Sequence, residues 1–206
     1  NARMTTDRDE AGEPLAALPE GCVVREAGRQ DAQLLAQLGE RAFREAWHEY
    51  NTAGDMDAYC AANFNLGATL ADLDRPGVGF LVAECGGEAA GYLRWASGPA
   101  PDCVTAVSPL EVSRIYVLRR WHGRGVGPAL MTECLRRARA NGHDIAWLAV
   151  WQRAPQPLAF YRKWGFKVVG TATFQLGADV QDDYVMARGV RPRDGDCPRR
   201  GLSPPR

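Results

Sequence analysis

Three glycines and three arginines fall within nine residues, at the point where a predicted strand gives way to a predicted helix. The segment reads Arg119-Arg120-Trp121-His122-Gly123-Arg124-Gly125-Val126-Gly127. Glycine lets a backbone turn sharply and approach a ligand closely. The free N–H groups and the dipole at a helix N-terminus favour a bound anion. The segment therefore predicts a site for a phosphorylated ligand.

Two common phosphate-binding motifs do not fit this loop. The P-loop pattern GxxxxGK[ST] is absent, and so is the dinucleotide fingerprint GxGxxG in an early βαβ unit. Nucleoside triphosphates and dinucleotides are therefore not the leading ligands. An ordinary glycine-rich loop that enters a helix remains the alternative at this point.

Three segments around the loop resemble the GNAT superfamily of acetyltransferases. They are EVSRIYV at 111–117, HGRGVG at 122–127 and FYRKWGF at 160–166, and the resemblance extends over about residues 21–189. It implies an acyl-CoA N-acyltransferase fold, with a central, mostly antiparallel sheet that contains one splayed parallel strand pair and is flanked by helices. Segments 43–51, 57–59, 147–151 and 177–183 are more closely similar to bacterial PaiA-type polyamine acetyltransferases.

The resemblance implies acetyl-CoA as co-substrate and no metal. The backbone of β-strand residues before the loop would bind the pantetheine arm and polarise the thioester, and the loop would bind the pyrophosphate. The expected cofactor-binding residues are Ile115, Tyr116, Val117, His122, Gly123, Arg124, Gly125, Val126, Gly127 and Pro128.

Two catalytic residues follow from the same resemblance. Tyr161 matches the general-acid tyrosine of the family, and a packed aromatic residue is the alternative for it. Glu111 is the expected general base, direct or through water, and a surface or ion-paired glutamate is the alternative. On a regular strand Glu111 would share a face with Ser113, Ile115 and Val117.

An acidic loop is expected near the end of the domain. Asp179, Asp182 and Asp183 would border the acceptor side there, and Asp179 and Asp183 would attract a cationic amine. A solvated turn is the alternative. The stretch Trp47–Tyr50 is a second candidate for the acceptor pocket, although Trp47 is expected to lie in the core.

The sequence departs from the family pattern at three positions. His122 stands where the family loop begins with Gln or Arg, and Ala154 where an Asn would bond the pantetheine arm. The lost hydrogen bond would be worth about 1 kcal/mol. Pro157 replaces a helix Ala, which the first turn of a helix accepts.

The elements that must position these residues alternate in type. Strands are predicted at 22–25, 78–85, 88–95, 110–117, 145–151, 167–174 and 183–187, and helices at 31–50, 56–64, 66–73, 125–140 and 158–164. Gly86-Gly87 predicts a two-residue hairpin turn. The order predicts one α/β domain with a mixed sheet.

The composition limits the remaining possibilities. Lys+Arg and Asp+Glu both number 25, so broad binding to nucleic acid or to a membrane is not expected. Six cysteines without a CxxC pair favour reduced thiols and a cytoplasmic protein, and three scattered histidines offer no metal-ligand spacing. Residues 1–20 and 190–206 are expected to be flexible arms, with 1–3 a remnant of expression.

The resemblance implies transfer of an acetyl group to a primary amine of a small, polyamine-like molecule, by direct attack in a ternary complex. Two alternatives stay open. One is a protein N-terminal or lysine acetyltransferase, and the other is a non-catalytic acyl-CoA-binding regulatory module. A homodimer is also left open by the sequence.

Overall fold

A computed structural model describes residues 18–177 and 179–190 of the chain. The seven strands are β1 (Cys22–Glu26), β2 (Val78–Cys85), β3 (Glu88–Ser97), β4 (Pro109–Val117), β5 (Ile145–Trp151), β6 (Lys167–Leu176) and β7 (Asp179–Gly189). The five α-helices are α1 (Ala32–Trp47), α2 (Ala53–Asn63), α3 (Leu66–Leu73), α4 (Val126–Ala140) and α5 (Pro155–Lys163). Of the predicted arms at 1–20 and 190–206, residues 1–17 and 191–206 lie outside the described residues.

All seven strands form one sheet in the order β1-β2-β3-β4-β5-β7-β6. Every neighbouring pair is antiparallel except β4 and β5, which are parallel. The predicted mixed α/β architecture, mostly antiparallel with one parallel pair and flanking helices, is confirmed. The Gly86-Gly87 turn has φ values of 59° and 81°, as the β2–β3 hairpin requires.

The parallel pair is short, because β4 and β5 are joined only by Pro109↔Ile145, Leu110↔Ala146 and Glu111↔Trp147. Beyond these three pairs, residues 112–117 and 148–151 have no partner in each other's strand. The expected splay is therefore present, and it leaves a space between the two strands that we term the β4–β5 gap.

Helices cover both faces of the sheet and bury separate apolar clusters. The apolar side of α4, with Leu130, Met131 and Leu135, packs with α5 on one face. On the other face, Leu35 and Leu38 of α1 pack on β2 and β3. Burying each such leucine contributes about 2 kcal/mol. The two layers hold the β4–β5 gap between them.

The expectation of reduced cysteines is wrong for one pair. Cys22 and Cys85 lie directly opposite each other in the β1–β2 ladder and form a disulfide. The pairing is long-range, with a sequence separation of 63, and only the sheet register brings the two residues together. Cys60, Cys103 and Cys134 are free, and Cys197 lies outside the described residues.

No helix within residues 18–177 and 179–190 is long and apolar enough to cross a membrane. The same residues contain no group of three or more His, Cys, Asp or Glu side chains that could hold a metal ion.

Candidate active site

The glycine loop turns the chain from the end of β4 into α4, beside the β4–β5 gap. A short 3-10 turn at Arg119–Trp121 follows β4, and Gly123 and Gly125 then adopt φ values of 74° and 84°. Residues with a side chain adopt this left-handed conformation rarely, so the turn requires glycine at both positions. The loop thereby places the first turn of α4 beside Val117 at the end of β4.

The first turn of α4 provides the anion-binding groups. Backbone N–H groups of Val126 and Gly127 have no partner inside the helix, and Pro128 at the third position has no N–H to satisfy. A Cβ on Gly127 would meet only Phe160 and Val117, at 3.7–3.9 Å. The donor set is therefore made of main-chain groups at the positive end of a helix dipole, which suits a phosphate.

His122, which departs from the family pattern, has a structural contact. Its Nε2–H donates to the Val117 carbonyl at 2.8 Å and so ties the loop to the end of β4. The loop geometry is thus supported by a different side chain from the one the family pattern contains.

Two of the three loop arginines already have acidic partners. The Arg119 backbone N–H donates to the Glu45 carboxylate at 2.7 Å, and its guanidinium donates to the Glu45 carbonyl. The Arg120 guanidinium pairs with Glu88 at 2.5 Å. Arg124 instead lies over the Trp121 ring at 5.3 Å.

Tyr161 belongs to the same helical layer as α4. It lies on α5, is 9% exposed and packs against Phe160 and Phe166. Burial, with a smaller contribution from nearby Tyr116, raises the pKa of Tyr161 above its ordinary value. Tyr116 belongs to the part of β4 that borders the β4–β5 gap, so the phenol of Tyr161 lies near that gap as a neutral hydrogen-bond donor.

Glu111 lies on the face opposite to the one expected for it. Leu110, Val112, Ile115 and Val117 all contact the cluster on the α4 side, so Glu111 points the other way. The reason is a bulge. In the β3–β4 ladder, Arg94 lies opposite Arg114 and Trp95 lies opposite Val112. Ser113 therefore has no partner residue on β3, and the alternation of side chains along β4 is broken.

The electrostatic surroundings of Glu111 are mixed. Burial raises the pKa of this carboxyl group, while the guanidinium groups of Arg94 and Arg114 act to lower it. Arg94 forms a bidentate pair with Asp72, whereas Arg114 donates to the Asn63 side chain at 3.4 Å and lies over the Phe64 ring. The charged form of Glu111 therefore has cations nearby.

The expected acidic loop is in fact part of β7. Asp179 and Asp183 project from one face of this strand and Asp182 from the other, because side chains alternate along a strand. Asp179 and Asp182 are exposed, whereas Asp183 is 7% exposed. The prediction of a loop was wrong because strand pairing with β5 and β6 overrides the local polarity.

Asp183 is a buried carboxyl group with an oxygen that lacks a partner. It lies opposite Trp151 of β5, and its Oδ1 has no hydrogen bond within the part of the chain that the structure describes. Burial, with the nearby charge of Asp182, raises the pKa of Asp183 to about 6. The cost of burying an unsatisfied polar atom makes such a group a candidate for ligand contact.

On this face of the sheet, β5 is open to solvent at Ala149, between the positions of the two carboxyl groups. Ala149 is exposed in the middle of β5, although the strands on both sides of it belong to the same sheet. Along this face, Glu111 and Trp147 lie at one end of the opening, and Trp151 and Asp183 lie at the other. We term this opening the β5 cleft.

Aromatic rings border the Asp183 end of the β5 cleft. Trp151 makes edge contacts with Trp47 at 6.0 Å and with Tyr50 at 5.5 Å between ring centroids. The Trp47 indole N–H also donates to the Tyr116 hydroxyl at 3.4 Å, so Trp47 is partly buried rather than wholly core. Trp151 was not among the predicted site residues. The signal for it in the sequence was its place at the end of the apolar strand β5.

The remaining departures lie at the start of α5. Ala154 is buried and precedes the helix, with Pro155 and Pro157 at its first and third positions. Both prolines occupy the first turn, where a missing N–H costs no intrahelical hydrogen bond. The side chain of Ala154 can offer no hydrogen bond to a ligand.

Comparison with known proteins identifies relatives of this arrangement. The Acetyltransferase (GNAT) family model matches residues 36–166. An uncharacterized N-acetyltransferase of Mycobacterium tuberculosis is 34% identical over 158 residues, which span 77% of this chain and 97% of that protein.

Solved structures share the fold at lower identity. The PaiA N-acetyltransferase of Thermoplasma acidophilum in complex with coenzyme A has a TM-score of 0.66 at 16% identity, over 82% of this chain and 98% of that one. A ribosomal-protein-alanine N-acetyltransferase of Brucella melitensis has a TM-score of 0.58 at 22% identity, over 81% and 99%.

Proposed function

The chain belongs to the GNAT family of acetyl-CoA-dependent N-acetyltransferases, and we propose that its acceptor is a primary amine of a small, polyamine-like molecule. The observation that carries this proposal is the buried carboxyl group of Asp183 at the aromatic end of the β5 cleft. A carboxylate attracts an alkyl ammonium group, and the faces of Trp and Tyr rings add cation–π attraction.

The residues present fit acetyl-CoA as the co-substrate. The N–H groups at the start of α4 and the turn at Gly123 and Gly125 would hold its pyrophosphate, and the β4–β5 gap would admit its pantetheine arm. When bound, acetyl-CoA supplies the acetyl group as a reactive thioester. Ala154 would contribute no side-chain hydrogen bond to it.

The protein must prepare the amine and stabilise the leaving thiolate. An alkyl amine has a pKa of about 10 and arrives protonated at neutral pH, so a carboxylate has to accept a proton before direct attack. Glu111 and Asp183 are the two candidates, at opposite ends of the β5 cleft. Tyr161 would donate a hydrogen bond to the thiolate, because its raised pKa keeps the phenol neutral.

Asp179 has a more distant role in this proposal. It is exposed on the same face of β7 as Asp183, and it accepts a hydrogen bond from Gln181 at 2.9 Å. A second ammonium group of a long polyamine could contact it while the reacting nitrogen lies near Asp183. The expected cytoplasmic location belongs to the same proposal, although the Cys22–Cys85 disulfide removes the argument from reduced cysteines for it.

A protein N-terminal or lysine acetyltransferase is the second candidate. The Brucella melitensis neighbour, whose name describes acetylation of a ribosomal protein's alanine, favours it, as does the exposed ring of Tyr50 at the edge of the β5 cleft. A peptide would need an open groove along this edge rather than an acidic pocket. A non-catalytic acyl-CoA-binding module would bind the co-substrate and acetylate nothing.

A thiol-release assay with acetyl-CoA tests these candidates on one panel. The acceptors are spermidine, spermine, free amino acids, aminoglycosides and a lysine-containing peptide. We expect turnover with the two polyamines and little with the amino acids. Turnover with the peptide alone would support the second candidate. Binding of acetyl-CoA without turnover of any amine would overturn the proposed enzymatic activity.

A further inference from the structure

Asp183 differs from the other carboxyl groups near the site in what surrounds it. On β5 it faces Trp151, and on β6 it faces Ala172, neither of which can titrate. Its charged neighbour is Asp182 on its own strand. Trp47 and Tyr50 of α1 reach this end of the β5 cleft through Trp151. No cation contributes to its electrostatic surroundings within the described residues.

The position of Asp183 relative to the reacting groups also fits a chemical role. Tyr116 interacts electrostatically with Asp183 on one side and with Tyr161 on the other. Tyr116 therefore lies close to both groups, and it belongs to the part of β4 that borders the β4–β5 gap. An ammonium group at the Asp183 carboxylate would be close to Tyr116.

Glu111 is less well suited to accept a proton. It belongs to the section of β4 that still pairs with β5, and Arg94 and Arg114 stabilise its charged form. A base needs a proton affinity high enough to take a proton near neutral pH. Asp183 lacks such stabilisation of its charged form, because its buried Oδ1 has no hydrogen-bond partner within the described residues and no arginine is among its electrostatic partners.

We infer that Asp183, rather than Glu111, is the catalytic base that removes a proton from the acceptor ammonium group. This inference rests on the proposed function. The ammonium carries three protons and the amide product keeps one. The Asp183 carboxylate takes the first and releases it to solvent, and the nitrogen lone pair forms the bond to the thioester carbonyl carbon. As the C–S bond breaks, the second proton goes to the sulfur, with Tyr161 as hydrogen-bond donor.

Three variants of the full chain separate the two carboxyl groups. They are Asp183→Asn, Glu111→Gln and the matched control Asp182→Asn, which changes the adjacent, exposed carboxyl group on the other face of β7. With spermidine, we expect Asp183→Asn to lower kcat/KM at pH 7 by about 100-fold or more. We expect less than tenfold for Glu111→Gln and less than twofold for Asp182→Asn. Binding of acetyl-CoA, measured by calorimetry, should stay within twofold and shows that each variant is folded.

The pH profile and a weakly basic amine distinguish a base from a structural residue. The kcat/KM of the wild type should fall below about pH 6, where Asp183 becomes protonated. The kcat/KM of Asp183→Asn should show no such fall, and it should increase as the pH rises toward the pKa of the amine. With 2,2,2-trifluoroethylamine, which is neutral at pH 7, the deficit of Asp183→Asn should shrink to about tenfold or less.

Each outcome has one meaning. If the wild type acetylates no amine, the proposed function fails and the inference fails with it. If the wild type is active but Asp183→Asn behaves like Asp182→Asn, or Glu111→Gln abolishes the acid limb, the inference alone is overturned. An equal loss with both amines would assign Asp183 to binding rather than to proton transfer.

Discussion

The two sides of the β4–β5 gap offer a ligand different kinds of polar group. We term the side of the glycine loop 119–127 the loop side and the side of Asp183 the acceptor side. On the loop side, Arg119 and Arg120 already have acidic partners, and the groups left for a ligand are backbone N–H groups. On the acceptor side, the Asp183 carboxyl group is buried with a free oxygen. In the proposed function, recognition of the shared co-substrate therefore depends on the main chain, whereas recognition of the acceptor depends on individual side chains.

This difference bears on how each side can change. A backbone site tolerates substitution of side chains as long as the turn is kept, which is why His122 can stand where the family has Gln or Arg. A side-chain site changes its ligand with a single substitution. Members of one family can therefore share acetyl-CoA and differ in acceptor.

Tyr161→Phe tests the transfer step, in which the ligands of both sides react. Among the predictions that follow from this comparison, it should have the largest effect on activity. Loss of a hydrogen bond to the developing thiolate is expected to lower kcat by about 100-fold with acetyl-CoA affinity unchanged. Steady-state kinetics at pH 7.5 measure it. The control is Tyr184→Phe, which packs against the same apolar cluster and should change kcat less than twofold. Similar values for the two variants would mean that the Tyr161 hydroxyl has no part in the reaction.

Asp183→Asn should stabilise the fold while it lowers activity. The folded protein holds the Asp183 proton more tightly than the unfolded chain, because a pKa of about 6 exceeds the ordinary value of 3.8. The contribution of this group to the free energy of unfolding therefore falls as the pH rises from about 4 to 6, and stays low above that range. At pH 7.5, Asp183→Asn is expected to gain about 3 kcal/mol relative to the wild type, because each pKa unit corresponds to about 1.4 kcal/mol, and most of this gain should disappear at pH 4.

Urea denaturation of both proteins at pH 4 and pH 7.5 measures this effect, with Asp182→Asn as the exposed control. An equal free energy of unfolding for Asp183→Asn and wild type at pH 7.5 would mean that Asp183 titrates normally. The contrast between the acceptor side and the loop side would then lose its main support.

Gly123→Ala tests the claim that the loop side is built from the main chain. Gly123 has a φ of 74° and Gly86, in the β2–β3 turn, a φ of 59°, and an added Cβ meets nothing within 4 Å at either position. Both alanine variants should therefore lose about 1 kcal/mol of stability from the same backbone strain. Only Gly123→Ala should also raise the Kd for acetyl-CoA, by about tenfold, because it displaces the N–H groups at the start of α4.

Calorimetric titration with acetyl-CoA separates the two variants. Equal Kd values for Gly123→Ala and Gly86→Ala would show that the conformation of Gly123 does not matter for binding. The main-chain account of the loop side would then be wrong.

Local patterns were sufficient to predict most of the elements. Strand β5 and helix α3 have the predicted bounds, because each has a strong apolar pattern between clear turn signals. The glycine loop was also placed correctly, since only glycine suits the two left-handed positions. These features depend on residues that are close in the sequence.

The parts that the sequence could not predict depend on contacts between distant residues. The bulge at Ser113 exists only in the register of β3 with β4, and it reverses the face on which Glu111 lies. The predicted strand began at Asp183, and the polar run 179–182 before it also became part of that strand through pairing with β5 and β6. Burial of Asp183, on which the acceptor side depends, follows from that pairing and has no local signature.

The smallest expected effect concerns the loop arginines. Arg120 is neutralised by Glu88, whereas Arg124 contacts only the Trp121 ring among the interactions described for it. Arg124→Ala should raise the Kd for acetyl-CoA about threefold at low salt, and the effect should vanish in 0.5 M NaCl because an exposed charge is screened. Arg120→Ala, the matched control, should change the Kd by less than 1.5-fold. A larger effect for Arg120→Ala would show that side-chain charge on the loop side is available to the ligand after all, and the two sides of the gap would then recognise their ligands in the same way.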